Sequence, residues 1–129
     1  GIEVPSIRGS VDAQIAGVIN LSEKAMATSG NYRNFIDLGG EIIGHTINPI
    51  LGTPVKTNVL SVTVISNSCM IADSWATALM ALDYNIGKKL IEKENDLNVI
   101  WIIELEDNSR GIGITKGLNI ENPIYDFII

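Results

Sequence analysis

The chain has 129 residues, the size of one ordinary domain, and 46% hydrophobic against 19% charged residues excludes a disordered tail. A net charge of −6, with no Lys/Arg cluster to track a phosphate backbone, argues against a nucleic-acid partner and favours a site that recruits a cation to meet a phosphate. Cys69 is the only cysteine, which excludes an internal disulfide framework and a thiolate metal cluster, and apolar runs such as 99–103 are far too short to span a bilayer.

Gly1 opens directly onto an apolar edge, Ile2-Glu-Val4, and reads as a cleaved or engineered boundary; no signal peptide or lipid-anchor motif is visible. Residues 11–15 alternate apolar and polar as a half-buried strand does, with a bend at Gly17. Residues 24–28 read as a second short strand that Ser29-Gly-Asn31 ends in a turn. Residues 35–38 and 41–43 form a hairpin around Gly39 and Gly40. An irregular loop over 45–54 is punctuated by Pro49, Gly52 and Pro54, and 59–66 is a strong strand.

Ser66, Asn67 and Ser68 offer capping groups for a helix over 69–82, in which Cys69 reads as a small buried hydrophobe and Trp75 as packing. A second helix over 85–94 turns Ile86, Leu90 and Ile91 inward. A central strand over 97–105, carrying Trp101, has its hairpin mate at 111–115 across a solvated turn at Glu106 and Asp107. The apolar tail over 118–129 adds a strand or docks onto a partner surface, which leaves self-association open. Strands, then a helix pair, then strands, without internal repeat or linker, predict one domain over 1–129. Its class is α+β, with a mainly antiparallel sheet and the helix pair packed on it. Gly-x-Gly-x-x-Gly and Walker A patterns are absent.

The chemistry concentrates in Asp73-Ser-Trp-Ala-Thr77. In one helix, Asp73 and Thr77 are four residues apart on the same face, with Cβ atoms about 5–6 Å apart. A carboxylate and a hydroxyl at that spacing suit a shared hard cation such as Mg²⁺, and a nearby helix N-terminus suits a phosphate. Two other readings stand beside it. A first-turn Asp73 favours the positive end of the helix dipole, and a mid-helix Thr77 bonds the carbonyl one turn back. His45, the only histidine, lies in the Gly- and Pro-rich loop where functional groups collect, and its ordinary titration range suits a general base as well as a structural role. Ala27-Thr-Ser-Gly-Asn31 reads as a ligand-wrapping loop or as an ordinary strand-ending turn.

Four blocks resemble one family together: Ala27-Thr-Ser-Gly-Asn-Tyr-Arg33, His45-Thr-Ile-Asn-Pro49 with Gly52 and Pro54, Ser61-Val-Thr-Val-Ile65, and Ala72-Asp-Ser-Trp-Ala-Thr-Ala-Leu79. Each is weak alone, but their order and spacing over about residues 1–105 are similar to those of the ApbE flavin transferases. The resemblance implies Mg²⁺-dependent transfer of FMN from FAD to a threonine hydroxyl of an acceptor protein, with AMP released; some members instead hydrolyse FAD to FMN and AMP. It implies acceptors of the Nqr and Rnf redox-pump type, and a periplasmic or extracytoplasmic protein that is membrane-anchored at full length. Carried onto this chain, Asp73 and Thr77 match the side-chain metal ligands, His45 matches a proposed base, and Ile47 matches an apolar position lining the FAD site. Thr46 and Asn48 depart from the commonest motif, though Asn48 keeps the turn-type hydrogen bonding of the residue it replaces. The family's N-terminal half, with its glycine-rich segment, most FAD contacts and a carbonyl of the metal shell, has no counterpart here. The chain therefore reads as the C-terminal portion of such a protein, inactive alone or retained as a non-catalytic flavin-binding fragment.

Overall fold

The computed structural model describes residues 1–5, 14–31, 35–39, 41–44 and 46–128, with the backbone alone at 35–38 and 41–44. In chain order the elements are β1 (Ile2–Glu3), β2 (Ile15–Gly17), β3 (Ala25–Gly30), β4 (Phe35–Leu38), β5 (Glu41–Gly44), β6 (Ile47–Asn48), β7 (Thr53–Pro54), β8 (Val59–Ser66), α1 (Cys69–Met80), α2 (Tyr84–Ile91), β9 (Asn98–Glu104), β10 (Arg110–Ile114) and β11 (Asp126–Phe127). The α+β expectation is met. A five-stranded sheet in the order β11-β10-β9-β8-β3 is antiparallel throughout except where β11 runs parallel to β10.

The β-branched run of β8 and the Ile/Val run of β9 form the middle of the sheet because both faces there are covered. Side chains alternate between faces. Val62, Val64, Val99 and Trp101 join the cluster packed by the helices, whereas Ile100, Ile102 and Ile112 join a second cluster with Ile2, Ala16 and Ile120. The second cluster ties the N-terminal strands and the tail to one sheet face. Val18 and Glu121 exchange two backbone bonds of 2.9 and 2.8 Å, and Ile128 N–H donates to Ile112 at 2.8 Å. The apolar tail is thus spent largely on its own sheet, with Ile124 and Phe127 left half exposed.

Helix α1 buries Ala72, Ala76, Leu79 and Met80, the 0, 4, 7, 8 spacing of one helical stripe. The two alanines let it lie close over β8 and β3. Its start differs from expectation: Cys69 is exposed, because the inward stripe begins only at Ala72. Ser68 has the extended N-cap backbone but makes no side-chain cap bond; its N–H donates instead to Ser66 Oγ at 3.2 Å. Lys24 Nζ donates to Asn67 Oδ1, which ties the entry of β3 to the same junction.

Helix α2 keeps Ile91 inward, as the sequence suggests, but otherwise turns a different set of residues to the core. Tyr84, Gly87 and Ile91 are buried, while Ile86 is 55% and Leu90 39% exposed. Close approach decides this. Gly87 abuts Leu79 and Trp101, where a Cβ would lie 3.2 Å from Leu79 Cδ2 and 3.6 Å from Trp101 Nε1. Tyr84 meets Trp101 edge-on, with ring centroids 5.5 Å apart, and Lys88 Nζ lies 5.6 Å from the Tyr84 ring centre. Trp101 is fully buried and its Nε1–H has no hydrogen-bond partner among the described residues.

Three segments refine the sequence reading. The expected turn at Ser29 and Gly30 is strand, because β8 extends far enough to pair Ser29 with Val62 and Gly30 with Ser61. The expected hairpin at β4 and β5 forms, with Gly39 at φ +69° in its turn; Gly40 lies outside the described residues, as do residues 11–13 of the first predicted strand. The loop read as irregular contains the ribbon β6–β7. There Asn48 Oδ1 accepts from the N–H groups of Ile50 (2.9 Å) and Leu51 (3.1 Å), and Gly52 takes φ +65°. No helix among the described residues is long and apolar enough to cross a membrane.

Candidate functional site

The site grows from the β8–α1 junction and the edge strand β3. Burying Ala72 and Ala76 against the sheet turns the residues one step further along the helix, Asp73 and Thr77, away from the core. Both are exposed, and their four-residue separation in a continuous helix puts them on one face. The geometry brings an ionisable carboxyl and a hydroxyl together at the surface with neither sealed in hydrocarbon.

The alternative roles for these residues lose ground locally. Asp73 is the fifth helical residue, and the first turn holds no acidic side chain, so Asp73 is not a first-turn dipole partner. The hydroxyl that bonds a carbonyl one turn back is that of Ser74, whose Oγ donates to Met70 O at 2.8 Å. The Thr77 hydroxyl instead faces Ser29 Oγ at 3.4 Å.

Ser29 reaches Thr77 because of the strand's two-residue alternation. Ala27 packs into the helix-side cluster, so Ser29, two residues on, points to the same side, at the height of Thr77. Thr28 points the other way and shares a hydroxyl bond of 2.8 Å with its register partner, the buried Thr63. Sequence reading groups Ser29 with a turn. The signal that finds it is the alternation of Ala27 and Ser29 once the strand is extended by two residues.

Ile47 sits on β6, 51% exposed, beside Ile50 at 90% and Leu51 at 70%. This ribbon presents apolar surface that the described residues do not cover. His45 lies outside the described residues, and so do Tyr32 and Arg33 of the first motif.

The donor chemistry suits a hard divalent cation. A carboxylate and a hydroxyl are both oxygen donors, and Mg²⁺ characteristically takes one or two protein oxygens, keeps several waters and fills the remainder from phosphate. No group of three His, Cys, Asp or Glu side chains that could hold a metal exists among the described residues. A thiolate or imidazole cage of the zinc type is therefore not assembled from them.

Comparison with known proteins adds the family. Residues 1–101 match the model of the ApbE family. The chain belongs to the ApbE family. It is 37% identical over 106 residues to the FAD:protein FMN transferase of Vibrio cholerae, a match covering 82% of this chain and 30% of that relative. It is 36% identical over 95 residues to the FAD:protein FMN transferase of Escherichia coli K12, covering 74% of this chain and 26% of the relative. Among solved structures, the flavin transferase ApbE from Vibrio cholerae superposes with a TM-score of 0.67 at 31% identity, over 89% of this chain and 34% of that one. The ApbE protein of Thermotoga maritima gives 0.64 at 26% identity, over 84% and 34%. The chain thus spans about a third of the length of the ApbE proteins it matches.

Proposed function

We propose that this chain is the metal-bearing C-terminal portion of an Mg²⁺-dependent FAD:protein FMN transferase. The observation that carries the reading is the pair Asp73 and Thr77, two exposed oxygen-bearing side chains one turn apart, in a chain of the ApbE family. The names of the relatives support FAD as the flavin donor.

In this reading Asp73 and Thr77 hold Mg²⁺. When bound, the cation polarises phosphoryl oxygens and offsets charge on the leaving group. Ile47, on its exposed ribbon, packs against FAD. His45 takes the proton from the threonine hydroxyl of the acceptor. The threonine oxygen forms a bond to the FMN phosphorus, the pyrophosphate P–O bond breaks, and AMP leaves with that oxygen. Phosphoryl transfer depends mostly on positioning and charge stabilisation. The portion of the ApbE fold that this chain does not span is expected to supply most FAD contacts and the rest of the metal shell, so the 129 residues alone are expected to be inactive. The resemblance also supports an acceptor of the Nqr or Rnf redox-pump type and an extracytoplasmic, membrane-anchored location at full length.

The test is product analysis of the full-length protein with FAD, Mg²⁺ and an acceptor bearing the target threonine. Flavin that stays on the acceptor after denaturation, and is lost in Asp73→Ala, supports the reading. Free FMN and AMP without labelled acceptor identify an FAD pyrophosphatase instead. Absence of turnover in the folded protein identifies a flavin-binding or structural module.

A further inference from the structure

We propose that Ser29 is a positioning residue for the cation site: its Oγ accepts the proton of the Thr77 hydroxyl and so turns the Thr77 oxygen lone pairs toward the metal. This rests on the reading of Asp73 and Thr77 as cation ligands and adds a residue to it.

A neutral hydroxyl that ligates a cation must aim its O–H elsewhere, because the proton would otherwise face the positive charge. In a helix the default acceptor is the carbonyl one turn back. For Thr77 that carbonyl belongs to Asp73, itself the other ligand. Among the described residues, the Ser29 hydroxyl faces the Thr77 hydroxyl, 3.4 Å away and contributed by a different element. That separation exceeds the roughly 2.5–3.0 Å of an optimal hydroxyl pair. A cation drawing on the Thr77 oxygen makes its O–H a stronger donor, which favours closing the gap.

The position of Ser29 is built rather than incidental. Ser29 pairs in register with Val62. The residue before it is pinned to β8 on the opposite face by the Thr28–Thr63 hydroxyl bond of 2.8 Å. The residue two before it, Ala27, packs into the helix-side core together with Ala72 and Ala76. Strand and helix are thereby locked together one step below the Ser29–Thr77 contact. Outer groups that orient a ligand in this way commonly change metal affinity about 10–100-fold when removed.

The test is calorimetric titration of the full-length protein with Mg²⁺ in the presence of FAD. Ser29→Ala is expected to weaken Mg²⁺ binding about 10–100-fold with an unchanged melting temperature in EDTA. Ser29→Thr, which keeps the hydroxyl, restores the affinity. In a Thr77→Val background, Ser29→Ala adds no further loss, as required of a residue that acts through Thr77. Thr28→Val, which cuts the neighbouring hydroxyl bond on the other face, lowers the melting temperature but leaves Mg²⁺ affinity unchanged. Two results overturn the proposal, and they differ. If Thr77→Val weakens Mg²⁺ binding and Ser29→Ala does not, the positioning role is wrong and the metal site stands. If neither changes it, the metal assignment itself falls.

Discussion

The ring of Tyr84 occupies the space a side chain at Gly113 would need: a Cβ there would stand 2.4 Å from Tyr84 Cε2 and 2.7 Å from its hydroxyl oxygen. Glycine on β10 is therefore what lets α2 dock, and the docked tyrosine completes the edge-on contact with Trp101. Gly113→Ala is expected to destabilise the fold by about 1–3 kcal/mol, the usual cost of overpacking a filled core. Urea denaturation reads this as a lower midpoint. Combined with Tyr84→Ala, the glycine change should cost much less than it does alone, since the two groups compete for one volume.

Asp73 and Thr77 are exposed and make few demands on the fold, so their substitution should separate stability from metal binding. Asp73→Ala and Thr77→Val are each expected to alter unfolding free energy by no more than about 0.5 kcal/mol, as surface changes usually do. If the two residues are the proposed cation ligands, each change should nevertheless weaken Mg²⁺ binding by more than the about 10–100-fold typical of losing an outer-shell partner, because a direct contact is gone. If the proposed function holds, chelation of Mg²⁺ by EDTA should remove flavin transfer by the full-length protein and be reversed by added Mg²⁺.

The contrast between what is legible in the sequence and what is not follows from where the information resides. The strands β8 and β9 are readable because burial on both faces leaves segments dominated by Val, Ile and other β-formers, and β10 because it follows β9 at hairpin distance. The pairing of Asp73 with Thr77 is readable because helical spacing is local. The inward face of α2 is only partly so: Ile91 is readable, but the rest depends on Gly87 fitting against Leu79 and Trp101, residues of other elements. The extension of β3 through Ser29 is hidden for the same reason: turn-forming residues are overridden by the length of β8. With that extension hidden, the contact between Ser29 and Thr77 is hidden too.

Ile47 is half exposed on β6, so its apolar side chain contributes little to folding and is free to meet a planar ligand. Ile47→Ala is expected to raise the KM for FAD about 5–30-fold in the full-length protein. That corresponds to the removal of about 1–2 kcal/mol of apolar packing against the flavin donor. The turnover number should stay near its original value, because binding energy removed equally from the ground and transition states leaves kcat untouched. A parallel fall in kcat would mean that Ile47 also orients the reacting phosphate.

Asp107, in the β9–β10 turn, offers a pH test that is independent of the metal site. Its carboxylate accepts from the Ser109 hydroxyl at 2.5 Å and from the Ser109 N–H at 2.9 Å, and these bonds hold its pKa below the ordinary value of 3.8. Because the folded-state value is depressed, the turn's contribution to stability is present in full above the unfolded-state pKa and fades as the pH falls through the folded-state value. The window therefore lies below about pH 4 and leaves neutral-pH stability untouched. Ser109→Ala removes the hydroxyl, the larger of the two causes, and keeps the backbone N–H. Carboxyl-carbon NMR titration should then show Asp107 moving up toward its ordinary value without reaching it. An Asp107 titration identical in the two proteins would mean that the hydroxyl bond is not formed in solution.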